Sequence, residues 1–267
     1  MTATAITSLN NSIFLPFNPQ PDLPLLVLMP GMDGTGELWR SQLPRLESHF
    51  DVRRLSIPPH NLSSWTELSS QVTNLIKQEN LKNREVYLCG ESFGACLALQ
   101  VALDLPNLYH RLILINPASS FSQLPWLIWA GKICHWVPHP LYYLTTWAGL
   151  PLLAALDRIN PEDRLAILRA IQSVPQATVA WRMEMLGDFQ VNPQKIQQLR
   201  QPVLILVGGK DRVLPSFQES ARLSQYLPQA QVEFLPKSGH ACMLETEINF
   251  DAILQAWDRQ LSNRTGI

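Results

Sequence analysis

Hydrophobic positions along the chain fall into two alternating patterns. Strand-like segments recur at Val52–Leu55, which is weaker, at Val232–Leu235, and as short apolar runs at Leu23–Met29, Val86–Cys89, Leu112–Ile115 and Val203–Val207. Runs of this length, rich in Leu, Ile and Val, suit strands buried on both faces of a parallel sheet. Between them lie stretches with apolar residues at helical spacing. Over Trp65–Glu79 these are Leu68, Val72, Leu75 and Ile76. Phe93–Leu105, which stops before Pro106, Phe217–Leu227 and Phe250–Leu261 fill the later gaps as helices. Strands alternating with helices predict an α/β architecture, a mostly parallel sheet flanked by helices on both faces. Residues 1–22 are polar and contain proline, and predict a short edge strand or a loose arm.

One interval breaks the alternation. Nearly ninety residues separate Leu112–Ile115 from Val203–Val207 with no strand pattern. That is too long for a plain crossover, so a helical insertion is expected. The chain then divides into a core of residues 1–119 and 201–267 and an apolar lid or cap over residues 120–200. Five of the eight tryptophans (Trp126, Trp129, Trp136, Trp147 and Trp181) lie in the insertion, and from Phe121 to Leu156 the only formally charged side chain is Lys132. Three readings stay open: a lid whose inner face lines an acyl or prenyl pocket, a buried helical cap, or a surface that docks on a membrane. A spanning helix needs about 20 uninterrupted apolar residues. Pro125, Lys132, Pro138, Pro140 and Pro151 interrupt this stretch. Trp126, Trp129 and Trp136 are the candidate substrate-binding residues of the lid.

Composition narrows the class. With 46% apolar residues in 267, the chain can bury a sizeable core. A formal net charge of −1 gives no electrostatic bias toward nucleic acid. Cys89, Cys96, Cys134 and Cys242 form no CxxC pair and fit small buried residues in a reducing compartment. The first basic residue is Arg40, so the basic start of a secretory signal is missing. A cytoplasmic location is expected, with peripheral membrane contact through the lid as an extension.

Four segments carry chemistry, each just after a predicted strand. Gly90-Glu91-Ser92-Phe93-Gly94 fits G-x-S-x-G with a strand before it and a helix after it. A turn of that kind pushes the Ser92 hydroxyl to the carboxyl edge of the sheet, where the helix N-terminus directs its N–H groups. A serine hydroxyl is a poor nucleophile at neutral pH and needs a base. His240, between the last strand and the last helix, is that candidate; His49, His60, His110, His135 and His139 are worse placed. Asp211, just after Val203–Val207, would orient His240 and stabilise its imidazolium, with Asp188 as the alternative acid. The chain order Ser, Asp, His is the one used by the α/β-hydrolase fold. Pro30-Gly31-Met32-Asp33-Gly34-Thr35-Gly36 follows the first buried strand, where the Met32 and Phe93 backbone N–H groups would form an oxyanion hole. This loop matches neither GxxxxGK[ST] nor GxGxxG, so it is a poor phosphate cradle, and Asp33 reads as a turn residue. No metal site is apparent, and no cofactor is required.

The segments PGMDGTG, GESFGACLAL, NPASSF, GGKDRVLPS and SGHACMLE together resemble the esterase-like domain of the phytyl ester synthase family, over most of Leu23 to Trp257. The resemblance implies an α/β-hydrolase fold with Ser92, Asp211 and His240 at the triad positions and a preference for lipid-like esters. Members of that family typically carry a C-terminal acyltransferase domain. The sequence ends at Ile267 and none of its histidines starts an HxxxxD motif, so the hydrolase half is what is expected to carry over.

The expected function is a serine esterase of lipase type, acting through an acyl-enzyme on carboxylic esters with a long acyl or isoprenoid group. Resolution of that intermediate by a lipid alcohol would make the same site an acyltransferase. A non-catalytic lipid-binding protein, or a cofactor-free enzyme acting on C–C bonds or peroxides, are the rival classes.

Overall fold

The structure, a computed structural model, describes residues 11–134 and 136–265. His135 and residues 1–10 of the expected N-terminal arm lie outside the described residues. Seven strands form one sheet: β1 (Ile13–Phe17), β2 (Leu25–Met29), β3 (Asp51–Ser56), β4 (Val86–Glu91), β5 (Arg111–Ile115), β6 (Val203–Gly208) and β7 (Ala230–Leu235). Their spatial order is β1-β3-β2-β4-β5-β6-β7. All neighbouring pairs are parallel except β1 with β3, where Phe14 faces Leu55 in an antiparallel edge ladder. The polar N-terminal segment thus supplies an edge strand.

Helices cover both faces. α1 (Leu43–Leu46) and α10 (Phe250–Thr265) pack on one side; α2 (Trp65–Glu79), α3 (Phe93–Asp104) and α9 (Ser216–Tyr226) pack on the other. Successive strand residues point to opposite faces. Leu25, Val27 and Met29 of β2 accordingly join the cluster with α2 and α3, while Leu26 and Leu28 join Trp39, Phe250 and Trp257. Burial on both sides explains why the central strands read as continuous apolar runs. α2 begins with a capping box, in which the Ser64 N–H donates to Glu67 Oε2 at 2.7 Å and the Glu67 N–H donates to Ser64 Oγ at 3.4 Å.

The segment between β5 and β6 folds as α4 (Pro125–Cys134), α5 (His139–Leu153), α6 (Pro161–Gln172), α7 (Gln176–Asp188) and α8 (Pro193–Ile196). Prolines of this segment mostly sit at helix starts, although Pro151 lies inside α5. Pro125, Pro161 and Pro193 are first residues, and Pro175 immediately precedes α7. Proline is tolerated there because its missing N–H would have no intrahelical partner. Among the described residues, no helix is long and apolar enough to cross a membrane. All four cysteines are buried and unpaired.

Candidate active site

The site gathers at the carboxyl ends of the parallel strands. Ser92 lies between the last residue of β4 and the first of α3, with φ 56° and ψ −113°. An L-residue held at positive φ is strained, and such strain is found where surrounding contacts over-determine the backbone. Those contacts are visible. The Ser92 N–H donates to Ile115 O at 2.9 Å, and Ser92 O accepts from Ala118 at 3.3 Å. The flanking glycines let two chain segments meet: a Cβ on Gly90 would lie 2.0 Å from Gly94 O, and one on Gly94 would lie 2.4 Å from Met29 O. The G-x-S-x-G pattern is therefore a steric requirement of this turn.

His240 is 5% exposed, and its Nδ1–H donates to Asp211 Oδ2 at 2.7 Å. Asp211 is anchored by its own loop: Val213 and Leu214 N–H donate to Oδ1 at 2.8 and 3.0 Å, and the Ser216 hydroxyl donates to Oδ2. Burial alone would raise the Asp211 carboxyl, but the neighbouring His240 and these donors hold it below the usual carboxylate range. Burial alone would lower the His240 imidazole, and Asp211 overrides it, so its pKa is raised. Asp188, the alternative acid, is exposed at the end of α7. Ser92 and His240 line one cavity, and among the described residues neither Ser92 Oγ nor His240 Nε2 has a protein hydrogen-bond partner. Catalytic contacts of this kind commonly tighten only around substrate.

Gly31 and Met32 line the same cavity. The loop is closed by Gly34 N–H donating to Gly31 O at 3.0 Å, and Asp33 Oδ2 accepts from Thr35 N–H at 2.8 Å, which gives Asp33 a turn role. The Met32 and Phe93 backbone N–H groups make no hydrogen bond with any described residue, so both are free to act as donors. Away from this polar end the cavity is apolar. Leu153 of α5, Ile167 and Ile171 of α6, Val179 and Leu186 of α7, and Phe121 form its wall. Trp126, Trp129 and Trp136 lie elsewhere. They are exposed, Trp136 by 85%, and none lines the cavity. The insertion does line the cavity, through Phe121, Tyr142 and Leu153 together with aliphatic residues of α6 and α7.

Sequence reasoning missed several residues that hold the site. Asn116, fully buried just after β5, donates through Nδ2 to His240 O at 2.7 Å and accepts the Gly208 N–H at 2.8 Å on Oδ1. It ties the loops of Asp211 and His240 together, and a buried asparagine directly after an apolar strand was its only sequence signal. Glu245 accepts from Gly239 N–H at 2.8 Å and pairs with Arg158 Nε at 2.7 Å, holding the histidine loop to the insertion. Arg182 of α7 donates to Met32 O at 2.6 Å.

Glu91 also lines the cavity, 3% exposed, with Oε1 unpartnered. Burial pushes its carboxyl from 4.5 up to about 8; His240 opposes the shift, while Asp33, Asp211 and Glu245 add to it. The unfolded chain sheds this proton from pH 4.5 upward, while the folded chain keeps it to about pH 8, so stability falls as pH rises between the two. Glu91→Gln removes that slope. The variant is expected to gain on the wild type in melting temperature from pH 5 to pH 8, by several degrees, checked by thermal melts at stepped pH. A constant difference across that range would show that Glu91 does not change charge there.

A strand–serine–helix turn at the carboxyl end of the central strand is the mark of one large class, and the chain belongs to it. It is a member of the alpha/beta hydrolase fold family, which matches residues 24–246. Phytyl ester synthase 1 of the Arabidopsis thaliana chloroplast is 30% identical over 263 residues, covering 89% of this chain; the chain spans 37% of that protein's length. Among solved structures, MenH from S. aureus has a TM-score of 0.77 at 16% identity, covering 94% of this chain and 98% of the other. A thermophilic esterase from Thermogutta terrifontis has a TM-score of 0.72 at 20% identity, with 93% of each chain covered. At these identities the two structures share the fold.

Proposed function

We propose that this protein is a serine hydrolase that cleaves carboxylic esters bearing a long acyl or isoprenoid chain. One observation carries the reading: a strained Ser92 opens onto an apolar cavity shared with His240, whose Nδ1–H is held by Asp211 at 2.7 Å. Ser92 attacks the ester carbonyl while His240 Nε2 takes its proton. The Met32 and Phe93 N–H groups stabilise the oxyanion, and the leaving alcohol collects the proton from His240. Water then attacks the acyl-enzyme with His240 again as base. The apolar cavity wall supports a lipid-type chain, and so does the 30% identity to a phytyl ester synthase. That likeness also favours a second outcome, in which a lipid alcohol replaces water and the acyl group is transferred. The test is hydrolysis of p-nitrophenyl esters from acetate to palmitate, followed by phytyl esters. Activity that peaks at short chains would remove the lipid assignment.

The insertion also supports peripheral contact with a bilayer. Trp126, Trp129, Ile133 and Trp136 on and after α4, and Leu141, Leu144 and Trp147 on α5, are exposed. Lys132 Nζ sits 5.6 Å from the Trp129 ring centre. Indole and aliphatic groups beside one lysine suit the headgroup boundary. Trp129→Ser with Trp136→Ser is expected to lower co-sedimentation with phosphatidylglycerol-containing vesicles about tenfold while hydrolysis of a soluble short ester stays unchanged. Undiminished co-sedimentation would move the docking face elsewhere.

A further inference from the structure

Arg182 is a cation in a place where cations are costly. It sits in the middle of α7 and is 2% exposed. Among the described residues it forms no ion pair. Its partners are neutral carbonyls: Nη1 donates to Met32 O at 2.6 Å and Nη2 to Pro58 O at 3.2 Å. Burial lowers the guanidinium to about 10, with Asp33 acting in the other direction. A buried charge without a paired anion is strongly destabilising, and an apolar side chain of similar volume would avoid that cost. What the charge supplies is a short bond to one particular peptide.

That peptide belongs to the loop that carries the Met32 N–H. The loop is closed on itself by Gly34 N–H to Gly31 O, and it is tied to the segment after β3 by Ile57 N–H to Gly34 O at 2.7 Å. Neither bond fixes the Met32 carbonyl. Arg182 does, and the second arm of its guanidinium holds Pro58, so the two loops are set relative to one another. A Cβ on Gly34 would come within 2.8 Å of Arg182 Nη1, so the loop is shaped around the guanidinium. An oxyanion donor is effective only when its direction is set in advance, because a loop that must reorganise during the reaction loses most of its contribution.

We propose that Arg182 is the positioning residue of the oxyanion hole, reaching from the insertion to hold the Met32 carbonyl and thereby aim the Met32 N–H at the acyl oxygen. The insertion is then part of the catalytic apparatus as well as the wall of the cavity. This rests on Ser92 being the nucleophile, and the experiment separates the two claims.

Arg182→Met and Arg182→Lys are compared with wild type in the full chain for kcat, KM, thermal melting and inhibition by a trifluoromethyl ketone carrying the preferred acyl chain. The ketone forms a hemiketal with the serine and places an oxyanion in the hole. Arg182→Met is expected to lower kcat about 10²-fold, leave KM within about twofold, and weaken the ketone by the same factor as kcat. Lysine reaches one carbonyl instead of two and is expected to restore about tenfold of the loss. It supplies the measurement if the methionine variant does not fold, the expectation then being kcat and ketone affinity about tenfold below wild type. A folded variant whose kcat and ketone affinity match wild type overturns the proposal, and so does a loss confined to KM. Wild-type protein that forms no serine-bound hemiketal defeats the nucleophile reading instead.

Discussion

Ser92→Ala is expected to reduce kcat on the best p-nitrophenyl ester by about 10⁶-fold, with no serine-bound acyl group detectable by mass spectrometry. Nothing in the cavity can replace the hydroxyl. Burial raises the thiols of Cys89, Cys96 and Cys242 well above their ordinary range, so none supplies a thiolate. Glu91 is neutral below about pH 8. Residual turnover comes from the oxyanion donors and binding alone. The fold is expected to survive, because Ser92 Oγ has no protein partner among the described residues, and alanine at φ 56° is strained much as serine is. Melting temperature and binding of a non-hydrolysable long-chain ligand should therefore stay at wild-type values. A mutant that hydrolyses as fast as wild type would defeat the nucleophile assignment. A wild type that binds the long chain but turns nothing over would bring the lipid-binding reading forward.

The parts of this structure legible in the sequence were those with local causes. Two-sided burial produces the continuous apolar runs that became β2, β4, β5 and β6. Helical spacing of Leu68, Val72 and Ile76 gave α2 because that face packs inward. Ser92 was legible because its turn admits only glycine on either side. Asp211 was legible because it follows the buried strand β6, and His240 because it lies between the last strand and the last helix. Strand order was not legible, since an apolar run states that a strand is buried and not which strand lies beside it. Asn116 and Arg182 were missed for a related reason: their bonding partners lie 124 and 150 residues away. The insertion defeated periodicity outright. α5 buries Leu150 but exposes Leu144, Trp147 and Leu152, so apolar residues on both faces leave no contrast by which to tell inside from outside. Tryptophan-rich composition drew attention to Trp126, Trp129 and Trp136, whereas the cavity wall is built by Ile167, Ile171 and Val179.

Asp211→Asn is expected to lower kcat by about 10⁴-fold with little change in KM or in folding. The substitution keeps the shape of the side chain, and Oδ1 can still accept from Val213 and Leu214. The change falls on the atom facing His240. An amide NH₂ there donates where Oδ2 accepted at 2.7 Å, so the imidazole must present Nδ1 as an acceptor and carry its proton on Nε2. In that tautomer Nε2 cannot take the Ser92 proton. The pH profile supplies a second readout. Asp211 outweighs burial in raising the imidazole above 6.5, so the acid limb of kcat/KM in the wild type lies above that pH. With asparagine the largest contributions opposing the burial penalty are lost, and the limb moves to lower pH. A variant that loses activity while its acid limb stays in place would mean that another group sets the His240 pKa. Activity within tenfold of wild type would remove Asp211 from the role of orienting the base.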